Sequence, residues 1–539
     1  MNKVSKIIIK ENYYRDSLQL LKVSEDAKKL EGIVEAAVMM GTDTNKEILG
    51  KLGFSDPAID KATDNDMIIA IKAEDEKALS RASEEIEKLL EGVAVPAASE
   101  KASDLDTAFG MMPDANLALI SIPGEYVKDV AYKILDRGLH IHLFSDHVPI
   151  EDEINIKKYA AERELLVLGP GAGTSIINGV AIAFANVVDK GPVGVVAAAG
   201  TGLQEVTSLL DLVGIGTKHG LGVGGNDPKD TVGGIMTLQS IKVLEGQPDL
   251  EVISLVSKPP SPGVQDKIMN HIFQNTRKKY AIAFIGGHDI AIPPEHKARI
   301  KQGRTLHSVT LQISKLLGQD EYERAIKELH FPLEELKKVI DSEASKLEEG
   351  QRYLRGLYTG GTLTYETQVI LKDYMVDLRS NAPIKGTTQL TDPFKSEKHA
   401  IVDLGEEEFT KGRAHPMIDP TIRKLRVIEE AKDGETAVLL MDFVLGYGSH
   451  EDPVGALLNE IKEARELAER DGRYLSVVAH VLGTRKDPQG YEKSVERLKA
   501  AGVIHMPTNA LAAIVAGGIA MKGNLPLDEM YNRFLEVLD

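Results

Sequence analysis

The sequence predicts an α/β protein made of several small domains, two of which repeat one plan. Three observations carry this prediction. Apolar, strand-like runs alternate with helical patterns along nearly the whole chain. The 539 residues are too many for one ordinary domain, and 42% of them are hydrophobic, enough for several cores. The stretch "VVAAAGTGLQEV" (195–206) returns as "LYTGGTLTYETQVIL" (357–371), with Gly361 in the place of Gly200, Thr362 of Thr201 and Glu366 of Glu205.

Residues 1–92 read as a small α/β, ferredoxin-like domain. Its strands are "KIIIK", "GIVEAAVMMG" and "DMIIAIKA", and helical patterns cover 16–30, 45–52 and 74–90. "EGVAVPAASEKASD" follows as a linker. Residues 103–190 read as a Rossmann-like domain: "LALISIP", "LHIHLFS" and "ELLVLGPGAGTS" are strands separated by helices over 126–137 and 151–163. Residues 191–320 and 353–539 are the two flavodoxin-like repeats. Each starts with a strand, a Gly-Thr turn and a helix. The first continues through "GLGVGGNDP", "VISLVSKPP" and "AIAFIGGHD" to a helix over 307–317. The second continues through "AIVDLGEEE", "AVLLMDFVLGYGSHEDP" and "LSVVAHVLGT" to "GVIHMPTNALAAIVAG". Residues 321–352, rich in Glu, Lys and Leu, read as a helical connector.

Composition narrows the function. Lys and Arg total 64 against 82 Asp and Glu, a net charge of -18, which argues against nucleic-acid and anionic-membrane partners. The absence of cysteine excludes disulfides, thiolate nucleophiles, Fe–S clusters and thiolate zinc sites. The N-terminus turns polar after three isoleucines, unlike a signal peptide, and no apolar run reaches the roughly 18 residues of a membrane span. The expectation is a cytoplasmic protein acting on small molecules.

A helix N-terminus carries free N–H groups and about half a positive charge. Glycine lets that backbone approach a ligand, and a threonine hydroxyl caps the helix or touches an oxyanion. Either turn alone reads equally as an ordinary cap. If the repeats face one another, two matching turns point to one shared anion, held by Gly200, Thr201, Gly202, Gly360, Gly361 and Thr362. Other candidates lie in strand-end loops, where this fold class binds ligands. Lys258 in "SKPP" attracts a phosphate or carboxylate. In "FTKGRAHPMIDP", Arg413 forks onto an anion, His415 acts as acid or base, and Asp419 orients it, unless the His-Pro and Asp-Pro pairs only shape the loop. Asn226, Ser449 and His450 are candidate substrate ligands. His450, Glu451 and Asp452 are adjacent in sequence and cannot all face one ion, so no metal is expected.

The order of parts resembles the ATP-citrate lyase/succinyl-CoA synthetase superfamily, in which two flavodoxin-like domains aim one helix each at a shared phosphate. "GTLTYE" is a form of that turn, and "ELLVLGPGAGTS" and "GVGGNDP" resemble segments of its alpha subunit. Over nearly its whole length the chain resembles the FdrA family, through "PDANLALIS", "GPGAGTS", "SKPP", "GLYTGGTL" and "GRAHPMIDP". The resemblance implies a Rossmann-like domain of CoA-binding type, two ligase-type domains, and one of two chemistries: acyl-CoA synthesis, or carbamoyl transfer involving oxamate.

Departures from the synthetase pattern separate these. The Gly-rich CoA loop is missing; the N-terminal region has "VMMGTDTNKEIL" instead. No Gly-His-Ala-Gly segment holds a shuttle histidine, leaving His288 and the helix-borne His307 as nearby candidates. Lys258 stands where the synthetases place a glutamate. Neither an ATP-grasp domain nor a Walker A motif is apparent. The expectation is therefore an FdrA-like subunit of a carbamoyltransferase, with carbamoyl phosphate as substrate, His415, Arg413 and Lys258 in the catalytic roles, further enzyme subunits and a homo-oligomer. The alternatives are an NDP-forming acyl-CoA synthetase that binds CoA or nucleotide and is completed by an ATP-grasp partner, and a non-catalytic scaffold that binds an acyl phosphate.

Overall fold

Three strands open the chain: β1 (Val4–Lys10), β2 (Ile33–Met40) and β3 (Met67–Ala73). They pair antiparallel in the order β1-β3-β2. Successive side chains of a strand point to opposite faces. In β3 this sends Met67, Ile69 and Ile71 to one core with Leu20, Val23, Leu79 and Ile86, and Ile68 and Ala70 to another with Leu49, Phe54 and Ile59. Helices Ser17–Lys28 and Glu76–Glu91 cover the first face, and Asp43–Lys51 and Pro57–Lys61 the second.

The computed structural model describes residues 3–91, 102 and 104–537. The linker expected at 91–104 lies mostly outside them. Two compact units result, Met1–Pro113 with Leu404–Arg426, and Asp114–Asp403 with Val427–Asp539. Residues 404–426, inside the stretch read as the second repeat, thus join the N-terminal module. Asn45 Nδ2 donates to the carbonyls of Met40 and Gly412 at 2.8 and 3.2 Å, and Thr44 Oγ1 donates to Glu408 O at 3.1 Å. Gly412 has φ +71°, and a Cβ there would lie 2.6 Å from Thr42 Cγ2, so only glycine allows this approach.

The second unit begins with three parallel strands, β4 (Leu117–Ile120), β5 (His140–Leu143) and β6 (Val167–Leu168). The strand expected through "GPGAGTS" stops at Leu168. Thr174 instead starts a hairpin, β7 (Thr174–Ile177) and β8 (Val180–Ala183), which pairs antiparallel with the next sheet through Ile176 and Gly220.

That sheet adds β9 (Val193–Ala197), β10 (Thr217–Gly222), β11 (Val252–Ser257), β12 (Lys279–Phe284) and β13 (Ile300–Gln302). The other large sheet contains β14 (Tyr353–Tyr358), β15 (Leu378–Ser380), β16 (Thr388–Gln389), β17 (His399–Asp403), β18 (Thr436–Val444), β19 (Ser476–Leu482) and β20 (Ile504–Met506). Their orders are β13-β12-β11-β9-β10-β7-β8 and, read from the matching edge, β20-β19-β18-β14-β17-β15-β16. The five leading strands correspond one to one, so the repeat is topological as well as sequential. After β13 comes helix Leu306–Leu317, N-capped by Thr305; after β20 comes helix Asn509–Ala520, N-capped by Thr508. Helices Gln319–Leu329 and Leu333–Ala344 form the connector. Among the described residues no helix is long and apolar enough to cross a membrane.

A buried ion cluster ties β4–β6 to the first repeat. The Lys157 ammonium donates to Glu153 at 2.8 Å, to Val223 O at 2.9 Å and to Asp227 at 3.1 Å, and all three charged side chains are fully buried. Removing one partner of a buried cluster leaves uncompensated charge. Lys157→Met is therefore expected to destabilise the chain by about 3–5 kcal/mol, read as a lower midpoint in urea. A midpoint unchanged from wild type would show the cluster contributes nothing.

Candidate functional site

The turn after β9 starts helix Gly200–Leu212, and the turn after β14 starts helix Gly361–Leu371. Of the six residues read from sequence as an anion cradle, Thr201, Gly202, Gly360 and Thr362 meet across the two turns. The Thr362 N–H donates to Thr201 Oγ1 at 3.1 Å, with both threonines buried. A Cβ on Gly202 would sit 2.9 Å from Thr362 Cγ2, and one on Gly360 would sit 3.1 Å from Thr201 Cγ2. These glycines are what let the two helix ends touch. Gly200 differs: it is exposed, with only Thr174 Oγ1, at 3.9 Å, near its missing Cβ.

The two turns are not equivalent. Asp442 on β18 accepts from the N–H groups of Thr359 and Gly360 at 2.9 and 2.8 Å, and from Thr359 Oγ1 at 3.1 Å. Asp403, at the end of β17, lies where a Cβ on Gly361 would meet its Oδ2 at 2.8 Å. The Gly361 turn is thus supplied with the chain's own carboxylates. Strand registers identify the counterparts at the Gly200 turn. One row across the first sheet reads Gly222, Ala197, Val256, Ala283. In the second sheet Asp403 pairs with Tyr358 and Asp442 with His480, and the strands that carry Tyr358 and Asp442 pair one residue earlier, at Leu357 and Met441. No acidic residue lies in the first turn of the Gly200 helix.

Under the turns the repeats hold each other's glutamates. Glu205 of the Gly200 helix meets His480 Nε2 at 2.8 Å. Glu366 of the Gly361 helix accepts from the Leu306 N–H at 2.6 Å and from Asn509 Nδ2 at 2.8 Å. All these side chains are buried. Burial pushes the Glu366 carboxyl up to about 7, helped by the Glu205 charge and opposed by its two N–H donors and His480. Burial alone would depress His480, but the Glu205 carboxylate lifts it above its ordinary value. His307, 3.3 Å from Thr508 Oγ1, is pushed by burial down to about 3 and stays neutral.

The other sequence candidates are dispersed. Lys258 is exposed at the end of β11, its ammonium 4.8 Å from the ring centre of Tyr365 in the Gly361 helix. Asn226 donates to Glu153 at 3.0 Å and accepts from Lys229 at 2.8 Å, so its polar atoms already serve the fold. His450 Nδ1 accepts from the Asp452 N–H at 3.0 Å and shapes a turn, beside Ser449, whose hydroxyl is buried. His288 is exposed in the loop after β12. Arg413 and His415 belong to the first unit. There Asp419 pairs with Arg413 in a buried bridge instead of orienting His415, whose Nδ1 accepts from the Met417 N–H at 3.2 Å. Sequence reasoning missed Asp403, Asp442 and His480. Their signal is a single charged or imidazole side chain inside an otherwise apolar strand ("AIVDLG", "LLMDFV", "VVAHVL"), where the first repeat has Gly222, Val256 and Ala283.

Comparison with known proteins places this site in a family. Over 519 residues, 96% of this chain and 99% of the other, the sequence is 38% identical to YahF, an uncharacterized protein of Escherichia coli K12. The chain belongs to the FdrA family. Residues 357–519 of this FdrA-family protein match the CoA-ligase model, and residues 1–106 match the AllF heavy metal-associated domain. The chain contains no cysteine, and the described residues hold no group of three or more His, Asp or Glu set to bind a metal. A succinate–CoA ligase alpha subunit from Methanothermobacter thermautotrophicus is 24% identical over 177 residues, covering 32% of this chain and 58% of that one. The ATP citrate lyase of Methanothrix soehngenii superposes with a TM-score of 0.33 at 11% identity, covering 80% and 86% of the two chains. The FdrA-family protein is CoA-ligase-like, and the Gly361 turn, Asp403, Asp442 and His480 all lie within the matched residues 357–519.

The buried groups set a pH dependence. Glu366 and His480 both bind their protons more tightly when folded, so their contribution is present at low pH and lost as pH rises through their folded values, about 7 for Glu366. His307 is depressed when folded, so its contribution is lost as pH falls below the ordinary value of 6.5. The Glu366 contribution is therefore lost between pH 4.5 and about 7. Glu366→Gln is expected to gain melting temperature relative to wild type as pH rises from about 5 to 8; an equal change in both proteins over that interval would remove Glu366 as a contributor.

Proposed function

We propose that this chain is the phosphate-holding subunit of a carbamoyltransferase, passing the carbamoyl group between carbamoyl phosphate and the nitrogen of a small amide or amine acid such as oxamate. The supporting observation is the asymmetry of the two turns. Asp442 and Asp403 stand at the Gly361 side, where the first repeat has Val256 and Gly222 in their places, and Gly200 is exposed. An oxyanion is favoured at the Gly200 end, where backbone N–H groups and the positive helix terminus face it. Thr201 Oγ1 accepts from Thr362 and keeps its own proton to donate.

In the transfer, the acceptor nitrogen attacks the carbonyl carbon, the bond from that carbon to the phosphate oxygen breaks, and phosphate leaves with the electron pair. Preorganised donors at the turn stabilise that leaving charge. Lys258 is proposed to bind the acceptor's carboxylate, since Arg413 is already neutralised by Asp419. The nitrogen's proton passes to the departing phosphate. A second reading, an NDP-forming acyl-CoA ligase completed by an ATP-grasp partner, draws on the CoA-ligase match over residues 357–519. It uses the same cradle for an acyl phosphate.

Purified protein, with and without co-expressed partner subunits, is to be assayed with carbamoyl phosphate plus oxamate and, in parallel, with ATP, CoA and a carboxylate. Carbamoylated product is expected from the first mixture. Acyl-CoA from the second alone would replace carbamoyl transfer by the ligase reading. Thr201→Val should weaken carbamoyl phosphate binding about tenfold or more, the worth of one hydrogen bond to a charged group. Lys258→Glu should raise the acceptor KM about fivefold, a modest effect because Lys258 is exposed, and leave that of carbamoyl phosphate unchanged.

A further inference from the structure

A cleft of about 340 Å³ opens on the second unit, away from the turns. One wall is Gly286, Gly287 and His288, at the carboxyl end of β12, where parallel α/β sheets bind ligands. Gly286 has φ +78°, and a Cβ there would lie 2.8 Å from Val369 Cγ2, so this loop is pressed onto the Gly361 helix as only glycine allows. The remaining wall brings three cations from distant parts of the chain: Arg304, Lys372 and Arg533.

The guanidiniums are fixed. Arg304 is held by Asp289 through bonds of 3.0 and 2.8 Å. Arg533 is 3.1 Å from Asp373, donates to Tyr374 Oη at 3.1 Å and stands over the Phe534 ring at 5.0 Å. Lys372 is different. Its ammonium reaches only the Lys385 carbonyl, at 3.3 Å, and pairs with no carboxylate among the described residues. Three cations therefore face two carboxylates inside a recess of a chain whose net charge is -18. Groups already oriented lose little entropy on binding, and planar guanidiniums match phosphate and carboxylate. Lys372 lies eleven residues past Gly361, about 16 Å along the helix axis at 1.5 Å per residue, so a small ligand here cannot share the turns.

We propose that this cleft is a second anion site, taking a small polyanion bearing at least two phosphate or carboxylate charges. A Cβ on Gly287 in the cleft wall would lie 3.6 Å from Pro259, so the cleft adjoins Lys258, the side chain proposed to hold the acceptor. Titration calorimetry on the full chain, with pyrophosphate and with citrate as probes, tests it. At least one probe is expected to show a binding phase that Lys372→Glu weakens tenfold or more, that Thr201→Val leaves intact, and that added salt weakens. The tighter probe assigns the ligand as phosphate-based or carboxylate-based. No binding of either probe at millimolar concentration overturns the proposal. So does a change of less than twofold in Lys372→Glu, or loss of all binding in Thr201→Val, which would place the anion at the turns. A melting temperature for Lys372→Glu within a degree of wild type establishes that the loss is local.

Discussion

Two helix N-termini meet at the bond from the Thr362 N–H to Thr201 Oγ1. Each end carries about half a positive charge, so bringing them into contact is unfavourable unless negative charge is supplied nearby. Asp442 meets this requirement at the Gly361 turn, with Asp403 beside it. One turn further in, Glu205 adds a carboxylate held by His480, and Glu366 accepts from the Leu306 N–H, each bound to a group of the opposite repeat. The glycines at 202 and 360 follow from the same contact, since a methyl group at either would push the helices apart.

This arrangement makes the repeats interdependent. Glu205 needs His480 of the second sheet, and Glu366 needs the first amide of the helix that follows the first sheet. A buried carboxylate without its partner costs several kcal/mol, so neither repeat can shift far without exposing or stranding a charge. The duplicated Thr305 and Thr508 caps fix the helices that present those partners. What looks like two domains in sequence is one electrostatic unit at their contact.

Much of the fold was legible in the sequence, for local reasons. Apolar runs marked the strands, and the Gly-Thr register over 200–205 and 361–366 marked the repeat. The hairpin at Thr174–Ala183 was not legible, because its pairing partner lies on β10, in the next domain as read. The packing of Leu404–Arg426 on the N-terminal module was likewise hidden: it depends on Asn45 and Thr44 meeting carbonyls more than 360 residues away. Within the site, the turns could be read, but not their inequality. That required the strand registers, which align Asp403 with Gly222 and Asp442 with Val256. Arg413 was read as a ligand for substrate because a lone guanidinium in a loop invites that reading; Asp419, six residues on, already neutralises it.

The polar side chains of the second sheet have a geometric consequence. Two identical halves facing each other would form a cradle with two-fold symmetry, and a ligand could lie in it either way round. Asp403 and Asp442 break that symmetry: both carboxylates stand at the Gly361 turn, and Gly222 and Val256 take their places beside the Gly200 turn. The two halves of the contact have diverged in charge while keeping one backbone plan.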